Sequence, residues 1–374
     1  MKIATVDLVP ARLPLRRVLT LPRGASRTLD EGKRLVLVRV ETDDGRVGWG
    51  EASPSRRWSA ETLESAVTSL QQYLVPVVLG RDPRDLAGLH AAMDRELAPG
   101  FDRGQPIAKA ALDFACHDLV ARADGVPVQS LIGGGATRTI TLSYLVSAAT
   151  VADAAQQVAE ARAAGYSAFK VKVGGHAAAH DVEVVRAVVD AAGGGVVWAD
   201  ANQGYDVPEA RAAARGFERL GVPVFEQPLA ATDWRGLAEL RRSTAMTLAI
   251  DEAAMSLPVV AEMLRQQLAD GVVIKVAKLG GLHHARAVVD LCRDAGVTLL
   301  GSGLMDAPIT LAAGLHAFAA AGITFPCDLN GPQFLAEDYL PEPMPIENGT
   351  LRVPARPGLG WEPDAARIAK FRTG

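Results

Sequence analysis

Cysteine is scarce in this chain: Cys116, Cys292 and Cys327 are odd in number and far apart. That excludes a disulfide framework and leaves free, buried thiols in a reducing compartment as the expectation. Long apolar runs are missing too. No stretch approaches the roughly 20 residues that cross a bilayer, so no membrane association is expected. The start, Met1-Lys2-Ile3-Ala4-Thr5-Val6-Asp7-Leu8, alternates like a strand and lacks a signal peptide's apolar core, which makes a cytoplasmic location the default. There is no basic run, and a formal net charge of −4 argues against a nucleic-acid surface. No Gly-Lys-Ser/Thr follows Gly133-Gly134-Gly135, so this is not a phosphate loop. Gly301-Ser302-Gly303 lacks the spacing of a nucleophile elbow.

What is present is length and rhythm. At 374 residues the chain exceeds one ordinary hydrophobic core, which suggests a barrel with an added domain. Met1 to Leu8 and Lys33 to Thr42 read as strands; Asp43-Asp44-Gly45-Arg46 is a turn, and Val47-Gly48-Trp49-Gly50-Glu51 pairs back. Ser59 can cap a helix running to about Val75, and further helices are predicted near Leu86–Leu97 and Ile107–Ala123. This is an α+β unit over residues 1–135.

From about Thr137 strands and helices alternate through residues 136–335, and a segment over 336–374 is expected to return to the first unit. Counting from Thr139–Tyr144 to Ile323–Phe325 gives eight strands, the number that closes a β/α barrel. Gly165, Gly221, Gly296 and Gly322 stand where helices need a left-handed end.

Ionisable residues close the successive strands: Lys170 and Lys172, then Asp200, Glu226, Asp251 and Lys275. The interval is about 25 residues, what one strand, one helix and two short loops consume. Residues at the carboxyl ends of barrel strands share one mouth. Three hard oxygen donors there suit Mg2+, with Mn2+ as an alternative, and the lack of His or Cys argues against zinc. Acids at strand ends can also merely cap the next helix; three in register with lysines argue otherwise. Lys170 and Lys172, two apart, point to the same face, and two such ammonium groups are expected to lower the pKa of one of them. Lys275 falls on the sixth strand, opposite the second, so a metal-held substrate carboxylate would lie between Lys172 and Lys275.

The motifs Lys170-Val171-Lys172, Asp200-Ala201-Asn202, Glu226-Gln227-Pro228, Asp251-Glu252 and Lys275-Val276-Ala277-Lys278-Leu279-Gly280-Gly281 resemble the muconate-lactonizing subgroup of the enolase superfamily over essentially the whole chain. The resemblance implies a modified β/α barrel with an N-terminal α+β capping domain. It implies Mg2+ on Asp200, Glu226 and Asp251, Lys172 and Lys275 as acid/base catalysts, Lys170 as supporting cation and Asn202 as a nearby polar contact. It also implies a small carboxylate substrate, a homo-oligomer (dimer or octamer), and capping loops that close the mouth around Leu21–Arg27 and Ser53–Trp58.

Specificity is expected from those loops and from the ends of strands seven and eight. Asp306 and Asp328 would favour an amino group; Arg23, Arg56 and Arg57 an anion; Trp58 could stack on either. Asp328-Leu329-Asn330 has half of the Asp-x-Asp with which dipeptide epimerases of the family hold an ammonium, and Asp328-Leu329-Asn330-Gly331-Pro332 resembles the cycloisomerase segment in shape. Racemisation or epimerisation of an amino-acid-derived carboxylate ranks first, muconate-type cycloisomerisation second and dehydration of a hydroxylated acid third. A barrel that has lost catalysis and only binds is a different class, and the complete metal-and-lysine set argues against it.

Overall fold

The computed structural model describes residues 1–373 except 23, 27, 101, 102, 136 and 137. Strands Ile3–Leu13, Lys33–Thr42 and Val47–Ala52 form an antiparallel sheet with Lys33–Thr42 in the middle. Period-two alternation divides that strand between two cores. Val36, Val38 and Val40 pack with Leu63, Leu70, Met93 and Ala111, while Leu35 and Leu37 join the apolar cluster that is continuous with the barrel. Helix Pro106–Ala123 is buried at every position from Ile107 to Ala121. The strand Val47–Ala52 can lie directly on it because Gly48 and Gly50 carry no Cβ; one there would strike the carbonyls of Ala115 and Ala111.

The helix predicted from Ser59 begins later. Thr62 is its cap, in a reciprocal capping box with Ser65, and Leu63–Ser69 runs through a π-helical turn, Leu70–Leu74, into Val75–Val78. Ser59 Oγ instead donates to the carbonyls of Ser55 and Glu61, fixing the loop before the helix.

Seven parallel strands form the curled sheet: Tyr144–Val146, Ala168–Lys172, Val196–Asp200, Val224–Glu226, Thr247–Ile250, Gly271–Ile274 and Thr298–Gly301, in sequence order. Helices from Val151–Ala163 to Pro308–Ala320 follow these strands, and Gly165, Gly221, Gly296 and Gly322 all take positive φ after helices, as their positions in the sequence require.

Two strand assignments need correction. Thr139–Thr141 does not start the parallel sheet but pairs antiparallel with Thr350–Arg352. Ile323–Phe325 is not a strand; Cys327 and Asp328 take the eighth place. Ser143 N–H donates to Cys327 O, and Gly303 N–H to Asp328 O, so two residues bridge the edge strands and close the ring. The apolar run had pointed four residues too early, because closure here uses backbone hydrogen bonds rather than a regular strand. Helix Ala365–Phe371 packs on the strand Ile3–Leu13, and Thr373 N–H donates to Pro10 O. The three cysteines are buried and free, and no described helix is long and apolar enough to cross a membrane.

Candidate active site

Strand register assembles the site. Lys172 is directly opposite Asp200, Asp200 opposite Glu226, and Glu226 opposite Ala249, two residues before Asp251. The three acids therefore form one row on adjacent strand ends, and none exceeds 1% exposure. Lys170 and Lys172 project to the same side, as period two demands.

The lysines stand among the acids. Lys170 Nζ lies 2.8 Å from Glu226 Oε1 and 3.0 Å from both Asp200 Oδ2 and Asp328 Oδ2. Lys172 Nζ donates to Asp200 Oδ2 at 2.6 Å and to Asn202 Oδ1 at 2.7 Å. Lys275 Nζ donates to Asp251 Oδ2 at 2.6 Å, and Lys278 Nζ to Asp251 Oδ1 at 2.8 Å. Trp198 Nε1 donates to the second oxygen of Glu226 at 3.2 Å.

The carboxylates set the electrostatics of the buried lysines. Burial works to lower Lys170, but Asp200, Glu226 and Asp328 hold it well above the ordinary lysine value. Burial also works on Lys275, and Asp251 likewise keeps it raised. Lys278 is lowered, chiefly by burial. Carboxylates outweigh the mutual repulsion of the ammonium groups, a balance the Lys-x-Lys spacing does not reveal. Burial opposes ionisation of Asp200 and Asp251, yet Lys170 and Lys172 hold Asp200 well below the carboxylate range, and Lys275 and Lys278 hold Asp251 at about 2. Glu226 is pushed up to about 8 by burial and by Asp200, and Glu252 to about 7 by burial and Asp251.

Lys172, Lys275, Asn202, Asp328 and Trp58 line one cavity of about 50 Å³ together with Leu19, Leu21 and Ser26. Trp58 lays its ring 4.4 Å from Lys275 Nζ. Asp328 is heavily engaged, accepting from Lys170, from Asn330 Nδ2 at 2.7 Å and from Ser302 Oγ at 3.3 Å. Asp306 does not join them. It turns back under its own loop, accepting from Leu304 N at 3.1 Å, while Lys33 Nζ donates to Leu304 O at 2.9 Å. Arg56 is also elsewhere, exposed and ion-paired with Glu31. Arg23 and Arg27 lie outside the described residues.

Sequence reasoning passed over Lys278, Glu252 and Trp198. The first two sit inside the quoted motifs, and Lys278 follows Lys275 at helical spacing; Trp198 precedes Asp200 by two, hence shares its face. Glu252 accepts from Asn202 Nδ2 at 3.0 Å. His283 stacks on His90 at a ring distance of 4.9 Å and His284 meets it edge-on at 4.4 Å, beside the buried Asp113.

The donor set fits a divalent cation by its chemistry. Among the described residues no three His, Cys, Asp or Glu side chains are grouped as a ready-made cation cage, because lysine ammonium groups stand between the acids. The acids are nonetheless three buried hard-oxygen donors at the ends of three adjacent strands.

Two family models match: "Mandelate racemase / muconate lactonizing enzyme, N-terminal domain" over residues 11–133 and "Enolase C-terminal domain-like" over residues 153–367. A chloromuconate cycloisomerase of Cupriavidus necator is 30% identical over 99% of both chains. An L-Lys-D/L-Arg epimerase of Methylococcus capsulatus is 35% identical, over 96% of this chain and 99% of its own. A dipeptide epimerase structure from Enterococcus faecalis, complexed with Mg and the dipeptide L-Leu-L-Tyr, superposes with a TM-score of 0.90 at 26% identity, covering 97% of this chain and 100% of that one.

Proposed function

The chain belongs to the mandelate racemase/muconate lactonizing enzyme family of the enolase superfamily, and on that premise we propose that it racemises or epimerises an amino-acid-derived carboxylate by removing and returning the α-proton. The observation that carries this reading is that Lys172 and Lys275, from the second and sixth strands, line the same small cavity on either side of the row of acids. A two-base racemase needs one base on each face of the α-carbon.

The roles follow from the contacts. Lys172, as the neutral amine, takes the proton from one face while Lys275, as ammonium, delivers one to the other; the reverse reaction exchanges the roles. Asn202 Oδ1 orients Lys172. Trp58 covers Lys275 and keeps water from it. Asp200, Glu226 and Asp251 would hold Mg2+, with Mn2+ as the alternative; when bound it supplies the positive charge that a carboxylate needs as its α-proton leaves. Lys170 ties Glu226 and Asp200 to Asp328 and so fixes the row of acids.

The ranking over muconate-type cycloisomerisation rests on charge. Among the described residues lining the 50 Å³ cavity, the only cations are Lys172 and Lys275. Arg56, one of the three arginines expected to favour an anion, is turned away to Glu31. Cycloisomerisation remains the second reading because a chloromuconate cycloisomerase is similar over the full chain. Incubation of N-acyl amino acids, dipeptides and muconates with enzyme and Mg2+ in D2O tests the choice. Deuterium at the α-carbon together with racemisation supports the proposal; turnover of a muconate with no α-exchange in any amino-acid derivative overturns it. A homo-oligomer, dimer or octamer, belongs to the same reading, and light scattering that gives a monomer mass would remove it.

A further inference from the structure

The cavity touching both lysines, at about 50 Å³, has room for a reacting carboxylate and its α-carbon but not for a side chain. A second cavity of about 280 Å³ lies beyond Trp58 and Leu304, which line both. It is walled from one side by Gln105 and Ile107 and from the other by Glu252 and Met255, at the barrel mouth.

The charged groups on its walls already have partners. Glu61 accepts the backbone amides of Ile107 and Ala108. Lys278 is on Asp251, and Arg103 Nη2 donates to the Lys278 carbonyl at 2.5 Å. Two buried oxygens do not: Glu252 Oε2 and Gln105 Oε1 have no hydrogen-bond partner. Glu252 is only 8% exposed. Its other oxygen accepts from Asn202, which in turn accepts from Lys172, so one chain of hydrogen bonds runs from the proposed base to the cavity wall. Buried acceptors without donors are uncommon, and a site built around them rejects ligands that leave them unpaired.

We infer that this cavity is the side-chain subsite of the substrate and that it selects an uncharged arm ending in a hydrogen-bond donor, a carboxamide or hydroxyl. The assignment rests on the α-proton reading above. A carboxylate arm would face Glu252 Oε2, an ammonium arm would gain Glu252 but lie beside the two cations Arg103 and Lys278, and a purely apolar arm would leave both acceptors unpaired.

The test uses N-acetyl-L-glutamine, N-acetyl-L-methionine, N-acetyl-L-glutamate, Nα-acetyl-L-lysine and N-acetyl-L-alanine with the Mg2+-loaded enzyme in D2O. Two quantities are read: kcat/KM for α-deuterium exchange, and Kd by calorimetry. The glutamine derivative should exceed each other probe by about tenfold in both, the worth of one well-placed hydrogen bond. Ala231→Phe, which fills the cavity from its wall, should cut the glutamine-to-alanine ratio about tenfold. Gln105→Leu should bring the glutamine-to-methionine ratio towards one, with circular dichroism of the variant confirming its fold; Gln105 makes no side-chain cap to its helix. If the alanine derivative exchanges but these ratios do not move, or if the glutamate or lysine derivative is preferred, the subsite assignment is overturned and the α-proton reading stands. If no probe exchanges, both are overturned.

Discussion

Two places in this molecule bury carboxylates among cationic or titratable partners and use them for opposite ends. At the barrel mouth, Asp200, Glu226 and Asp251 face four lysines, three at strand ends and Lys278 in the turn that follows the strand Gly271–Ile274. Within helix Pro106–Ala123, on no strand end, Asp113 is buried among histidines. It accepts from His90 Nε2 at 2.8 Å, from Leu282 N at 2.6 Å and from His283 N at 3.3 Å, with His117 Nδ1 3.2 Å away. Gly281, at φ +118°, lets it approach, since a Cβ there would overlap the carboxylate. Burial opposes ionisation of Asp113, but His117 and His90 hold it well below the carboxylate range, and Asp113 in turn raises His117 against burial. At the mouth one backbone amide, Asn202 N–H to Asp200 Oδ1 at 3.0 Å, joins the side chains, and where side chains supply most of the compensation a ligand can replace them. Where backbone amides do, the charge is a rivet, here joining helices Leu86–Glu96 and Pro106–Ala123 to the start of Leu282–Asp294.

The largest effect expected from that contrast is chemical. Lys275→Ala should lower racemisation by about 10³-fold or more, the usual reach of a general acid or base, while circular dichroism and melting change little, because Asp251 keeps Lys278. Exchange of the enantiomer served by Lys172 should survive. Equal loss of exchange in both enantiomers would make Lys275 an electrostatic partner and bring the cycloisomerase reading forward. Lys170→Met crosses the boundary between the clusters. It strands Asp200, Glu226 and Asp328 without their shared cation, and should cost about 3–5 kcal/mol of stability as well as activity. Denaturant melts that show less than about 1 kcal/mol would mean the acids find other partners.

Asp113→Ala should do the reverse, weakening the fold by about 3 kcal/mol through two unsatisfied helix amides and two histidines, with kcat/KM of the remaining folded enzyme within a few fold. A variant of unchanged stability but altered kcat would place Asp113 in the catalytic machinery and dissolve the comparison.

The contrast also explains what could be read in advance. Lys172, Asp200, Glu226, Asp251 and Lys275 were legible because a barrel repeats one unit, so even spacing in sequence becomes convergence in space. Trp58 reached the same cavity by lying on a loop the resemblance singled out. Asp306 was misjudged because a strand-end acid can fold back onto its own loop, and only the position of Lys33 and the backbone at Leu304 decides that. The Asp113 cluster was invisible, since His90, His117, His283 and His284 sit on three helices with no common period. Thr139–Thr141 was misplaced because its alternation is the same whichever sheet it joins; its partner, Thr350–Arg352, lies two hundred residues on.

The smallest effect expected belongs to a second rivet, His316, which is fully buried. Its Nδ1 accepts from Gln129 N–H and its Nε2 donates to the Leu359 carbonyl, both at 3.1 Å, so two backbone groups fix the neutral ring. Burial pushes it down to about 4, against the weaker pull of the Leu359 carbonyl. A histidine depressed in the folded state binds fewer protons there than in the unfolded chain between pH 6.5 and about 4. Its stabilisation is therefore complete above pH 6.5 and falls as pH drops through that window, by about 2 kcal/mol between pH 7 and 5. Protonation at Nδ1 would also break the bond from Gln129. His284, held at about 4 by burial and His90, titrates in the same window, so His316→Gln should flatten the acid limb of the stability curve without abolishing it. Melts in urea from pH 7 to 5 measure this directly. If the variant keeps the full slope of the parent, the acid sensitivity lies in the histidines around Asp113, and those side chains would then be as open to protons as the lysines at the mouth.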